Sequence, residues 1–195
     1  KGAAACQPVD QVPVFGPFQK YPYQFAGVKF VDAMNDYALA REACHKFVDY
    51  FQPDCDFGPI FAYPAKGMEL LDWKAFRWPG HGVGDDTMYQ YTEGEYLKTE
   101  EYDEFITDPS DFMMRKWAPR QFGSMAAFGS MIPWRRFMWS GWMNLPFFWS
   151  TPEFQESLQR ITTGSEEVGR WWASQFQYWG EVKAKGIPMA FAGWD

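Results

Sequence analysis

From Phe30 to Phe51 large apolar residues return every three or four positions, and this pattern limits the fold more than any other. Phe30, Met34, Tyr37, Arg41, Cys44, Val48 and Phe51 share one stripe of a helix, and six of the seven can bury on one face. Asp32 suits the positive end of the helix dipole, and Pro53 stops the pattern. A second long helix is predicted over residues 151–185. Thr151-Pro152-Glu153 opens it, and Gly186 closes it. Gly164 and Gly169 predict a kink or break near its middle.

The remaining chain is broken into shorter pieces. Residues 8–23 carry Pro8, Pro13, Pro17 and Pro22, so an extended, irregular arm is expected, with a short strand at 12–15. Residues 55–63 form a short apolar run expected as a buried strand, with Pro59 marking a bulge or an end. Residues 66–73 suit a short helix, and the Gly-rich stretch 77–86 a loop. Residues 87–93 alternate like a strand. Residues 99–106 and 108–116 suit two short helices, the second opened by Asp108 as N-cap and Pro109 behind it. Residues 121–150 are rich in aromatics, Met and Gly without a clean period, and 187–194 are β-like.

Composition narrows the function classes. The chain has 11 Trp, 10 Tyr and 19 Phe, more large apolar surface than a small core easily hides. Some of those rings are expected to face a pocket, a subunit partner or a further part of the protein. A net charge of -7 argues against nucleic acid or an anionic membrane as partner, since phosphate recognition needs a basic stripe. The sequence holds no apolar run of ~18 residues, the length a bilayer span needs. The first residues lack a signal-peptide pattern and an initiator Met, which suggests a trimmed or processed start. Cys6, Cys44 and Cys55 form neither a CxxC pair nor a disulfide framework, so reduced thiols in a cytoplasmic protein are expected.

Few residues offer chemistry. His45 lies off the apolar face of the first long helix and suits a half-buried or solvated position. His81 sits in the loop Pro79-Gly80-His81-Gly82, where a side chain can be presented to a ligand. The acidic run at 93–105 suits a solvated face, with Glu93 and Glu95 the better site candidates. Gly82-Val83-Gly84 is too short for a phosphate fingerprint, and Ser124 and Ser130 form no nucleophile elbow. No His, Cys and Asp residues have metal-ligand spacing. The Trp- and Met-rich stretch 113–149 suits core or subunit interface, or else a pocket for an apolar ligand.

Several blocks resemble the uroporphyrinogen decarboxylase (URO-D) superfamily. Pro8-Val9-Asp10-Gln11-Val12-Pro13-Val14 is similar to the family's opening, with Gln11 in place of the usual Arg. Residues 26–54 resemble the helix before the first barrel strand. Residues 58–82 and 93–112 resemble members related to corrinoid-dependent methyltransferase and demethylase systems, and residues 186–195 resemble the second barrel strand. Decarboxylases hold substrate propionates with an Arg-rich segment and place an Asp at the end of the first strand. Here residues 16–27 offer Lys20 as their only cation, and residues 60–67 carry no acid. Bidentate carboxylate recognition wants Arg, so a polycarboxylate tetrapyrrole is disfavoured.

The resemblance implies an α/β fold: the N-terminal portion of a (β/α)8 TIM barrel with a large helical N-terminal extension. Residues 1–195 would be one partial domain, with an arm and helix at 1–53 and the first strands plus a helical insertion at 54–195. The implied activity is methyl transfer between a methylated small molecule and a corrinoid or other acceptor. A decarboxylase and a non-catalytic scaffolding module are the alternatives. Zinc, bound by later strands outside this chain, would be the implied cofactor. A corrinoid protein is the implied partner, and oligomerisation is open. Because barrel sites lie at strand C-terminal ends, Tyr63, Lys66, Glu93, Trp194 and Asp195 are the expected substrate-binding residues, with His81 on a nearby loop.

Overall fold

The computed structural model describes residues 6–14, 16–138 and 141–189. It does not contain a portion of a (β/α)8 barrel. Helix of all kinds makes up 63% of it, and the sheet is small and open. The described residues divide into two compact units, one from 1–63 and 169–195 and the other from 64–168.

In the first unit, helices α1 (Tyr21–Ala26), α2 (Phe30–Asn35) and α3 (Tyr37–Phe51) follow one another closely. The helix expected over 30–51 breaks at Asp36. The Asp36 backbone is extended, and its carboxylate accepts hydrogen bonds from the Ala38 and Leu39 amides at 3.0 Å. An N-cap inside the apolar pattern ends one helix and starts the next, because a capping side chain satisfies donors that a continuing helix would leave no room for. The apolar stripe survives the break in part: Phe30, Met34, Cys44 and Val48 are buried, joined by Phe47, whereas Phe51, expected on the same face, is exposed. Each such side chain contributes about 2 kcal/mol by leaving water. Tyr23 packs on Phe30 at 5.5 Å between ring centroids.

Residues 55–63 are not a strand. They form a 3-10 turn, Gly58–Phe61, and only Asp56 makes a bridge, to Met189. Pro59 and the positive φ of Gly58 forbid a regular ladder there. The rest of the run expected at 187–194 as a strand lies outside the described residues. The unit is completed by residues from the second half of a 33-residue helix, Pro152–Ala184. Tyr178, Trp171, Gln175 and Val182 from that half are buried.

The second unit begins with α4 (Ala65–Leu71) and a three-stranded sheet: β1 (Phe76–Pro79), β2 (Gly82–Val83) and β3 (Gln90–Tyr91) in the order β2-β1-β3. β1 pairs with β2 in parallel, Trp78 opposite Gly82, and with β3 antiparallel, Phe76 opposite Tyr91. The stretch expected as loop therefore holds two strands, while the strand expected over 87–93 shrinks to two residues. Positive φ at Gly80 and Gly82 lets the chain link β1 to β2 through so short a turn.

Next come a 3-10 turn (Thr99–Glu101), α5 (Tyr102–Thr107) and α6 (Pro109–Phe112). The Asp108 carboxylate accepts from the Asp111 amide at 3.1 Å, as its place before Pro109 predicts. A π-helical turn, Met113–Trp117, carries the chain from α6 into α7 (Ala118–Gln121). Residues 123–138 and 141–149 wind through 3-10 turns and end in α8 (Leu145–Trp149). The long helix, α9 (Pro152–Ala184), runs unbroken past Gly164 and Gly169. Gly164 is there for close packing: a Cβ at that position would sit 2.8 Å from Leu71 Cδ2 of α4.

Candidate functional site

The residues expected at the site are partly gathered by the second unit. Lys66 lies in the first turn of α4, and its ammonium donates to the Glu69 carboxylate at 2.8 Å, one helical turn on. His81 sits in the tight link between β1 and β2, where it acts on the same carboxylate through charge alone, without a hydrogen bond or ion pair to it. The Lys66 hydrogen bond first, and then the charge of Lys66 and the His81 ring, hold the Glu69 carboxyl below its usual range. The His81 ring lies over Trp78 at 4.5 Å with the planes 30° apart. Backbone bonds fix the loop: the His81 amide donates to the Trp78 carbonyl at 2.7 Å.

Trp78 itself is buried, yet its indole Nε1–H has no hydrogen-bond partner among the described residues. A buried donor left unmade costs about 1–3 kcal/mol. The group thus offers an ammonium, an imidazole and a carboxylate, with the buried Trp78 ring behind the imidazole.

The other expected residues do not join this group. Tyr63 belongs to the first unit, where its ring meets Trp171 edge-on at 5.9 Å. Glu93 is exposed just past β3, and no hydrogen bond or ion pair among the described residues ties it to Lys66 or His81. Trp194 and Asp195 lie outside the described residues. Among the described residues no three His, Cys, Asp or Glu side chains are placed to hold a metal ion. The zinc that the resemblance implies therefore has no fitting donor set among them.

Two side-chain networks escaped the sequence reading. In the first unit the Tyr178 hydroxyl donates to the buried Asp56 carboxylate at 2.7 Å. Desolvation pushes the Asp56 carboxyl up, against hydrogen bonds from Tyr178 and from the Gly58 and Phe57 amides. His45 stacks on the Tyr178 ring at 4.7 Å, and its Nε2 meets Glu181 at 2.7 Å. Its buried Nδ1 has no partner among the described residues. Cys44 is buried, and that burial raises its thiol well above the ordinary range. Its centre, Asp56, Tyr178 and Cys44, is buried, so it reads as a structural latch.

In the second unit Arg120 grips Glu101 with two hydrogen bonds of 2.6 and 2.7 Å. Arg115 does the same to Asp111, at 2.7 to 3.0 Å, and also donates to the Met131 carbonyl. Asp111 and Arg115 stand four apart, a spacing that could have announced the second clamp. Nothing local announces the first, which spans 19 residues.

No family model, no curated protein and no solved structure matches this chain. No helix among the described residues is long and apolar enough to cross a membrane.

Proposed function

We propose that the chain serves methyl transfer of the URO-D-like type, binding a methylated small molecule at the Lys66–Glu69–His81 group. One observation carries the reading. The block that resembles the methyltransferase branch, residues 58–82, contains all four residues of that group: Lys66, Glu69, Trp78 and His81. The chemistry is compatible. The methyl-bearing end of a small molecule would lie against the exposed His81 ring, and its polar end would accept from Lys66. Glu69 is a positioning residue that orients the ammonium. A corrinoid or another carrier would take the methyl group, and a corrinoid protein remains the proposed partner. The rival decarboxylase reading gains nothing, since residues 16–27 offer Lys20 as their only cation and residues 60–67 carry no acid.

The test is a binding titration of the chain against a panel of methyl ethers, methylamines and methyl thioethers, read by indole fluorescence and by chemical shifts of the His81 ring. Saturable binding that His81→Ala and Lys66→Ala each weaken about tenfold or more is the expected result. Binding of every panel member that survives both substitutions refutes the site.

A further inference from the structure

The second unit carries a surface that its own core leaves uncovered. Within residues 131–149 Met138 is 86% exposed, Phe147 75%, Trp142 63% and Met143 58%, with Ile132, Trp134 and Trp149 also open. Single exposed apolar residues are ordinary, but seven along one stretch of chain are not. The stretch holds together. The 3-10 turn Trp134–Met138 packs on the turn Gly141–Met143, which packs on α8. Gly141 allows this, because a Cβ there would meet the Arg136 carbonyl oxygen.

Size and chemistry both identify an occupant. At roughly 200 Å² for a large side chain, the exposed fractions amount to about 800 Å², the area each partner gives to a standard stable interface. Trp, Met, Phe and Arg are the residue types that concentrate in interface centres, where carboxylates are scarce. Residues 131–149 contain Arg135 and Arg136 and no acid. Arg135 lines, with Asp111 and Arg115, a cleft of about 430 Å³ beside this surface. Asp103, Glu104 and Asp108 line the same cleft. Arg136 is exposed, and no ion pair among the described residues engages it. This stretch therefore presents several exposed apolar side chains and an unpaired guanidinium, with a cleft beside it that Asp103 and Asp108 line.

We infer that this face binds a second copy of the chain about a two-fold axis. In such an interface each surface meets itself, so residue i of one copy meets residue j of the other, and the reverse. Apolar side chains then cover apolar side chains, and the Arg136 of each copy enters the acidic cleft of the other at Asp103. An anionic bilayer fits less well, because the cleft would bring Asp103 and Asp108 against it, carboxylates that no ion pair among the described residues neutralises, whereas Arg115 and Lys116 hold Asp111 and Glu104. This pairing stands whether or not the Lys66–Glu69–His81 group serves methyl transfer.

Sedimentation velocity over a concentration series tests it. A dimer with a dissociation constant in roughly the micromolar range is expected. Met138→Glu with Phe147→Glu should yield a monomer with an unchanged circular dichroism spectrum. Arg136→Glu should weaken the dimer about tenfold or more, and adding Asp103→Arg should restore it, which a merely structural effect would not do. A monomer at about 100 µM, a dimer indifferent to Met138→Glu with Phe147→Glu, or an Arg136→Glu defect that Asp103→Arg leaves unrelieved overturns the inference. So does flotation of a monomer with vesicles of mixed neutral and anionic lipid.

Discussion

Replacing Glu101 with Gln should reveal how much the Arg120 clamp contributes to the second unit. The Glu101 carboxylate takes two hydrogen bonds from Arg120 and one from the Lys98 amide at 3.1 Å, with Lys116 at 3.5 Å. Arg120 adds a further bond to the Tyr96 carbonyl at 2.9 Å. These partners, the Arg120 hydrogen bonds foremost, lower the Glu101 carboxyl from 4.5 to about 2. At about 1.4 kcal/mol for each tenfold change, that difference corresponds to about 3 kcal/mol. The Glu101 side chain is 11% exposed and that of Arg120 27%, so solvent screening reduces the figure to about 2 kcal/mol. The folded carboxyl lies below its unfolded value. Its contribution is therefore complete above about pH 5 and fades as the pH falls from there toward 2. Glu101→Gln should lower the melting temperature at pH 7 by about 4–8 °C, and the gap from the parent should close progressively in acid. Thermal unfolding followed by circular dichroism at pH 7, 5, 4 and 3 measures both. A variant within about 0.5 kcal/mol of the parent at pH 7, or a gap that persists undiminished at pH 3, would refute the reasoning.

Two further substitutions probe the first unit. Tyr178→Phe leaves the buried Asp56 carboxylate without its hydroxyl donor, and urea denaturation should show a loss of about 1–3 kcal/mol at pH 7. Burial already raises the Asp56 carboxyl, so its charge opposes folding at neutral pH and the Tyr178→Phe defect should shrink as the pH drops and Asp56 takes up a proton. Gly58→Ala combines a positive φ with a Cβ only 2.6 Å from the Tyr178 ring, so a loss of about 2 kcal/mol or more in the same assay is expected.

The helices were the most legible part of the sequence, because a three-to-four-residue period survives almost any packing. Phe30, Met34, Cys44 and Val48 are buried as their spacing predicts, and Pro152 and Gly186 bound a helix close to its expected length. Asp36 shows where that signal fails. A capping residue inside a continuous apolar stripe divides the helix while most of the stripe stays buried. The strands were misread for another reason. Pro59 and Gly58 turn an apolar run into a 3-10 coil, whereas Gly80 and Gly82, which argue for a loop, enable the short link between β1 and β2. Barrel architecture came from the resemblance alone, and no periodicity in these residues supports it. Of the proposed site, Lys66 and His81 are named from the sequence. Glu69 and Trp78 are not, since only the folded chain shows the Lys66–Glu69 bond and the His81 ring over Trp78.

The wide turn at Met113–Trp117 has a consequence for how this stretch tolerates change. Relative to an ideal α-helix it holds one surplus residue, and each residue rotates the chain beyond it by about 100°. Arg115 stands inside the bulge and Arg120 past its end, so their two grips are phased by that surplus. Trimming a single position would straighten the coil and swing Arg120 away from its carboxylate, though every side chain were kept. Length, more than identity, is what this segment has to conserve.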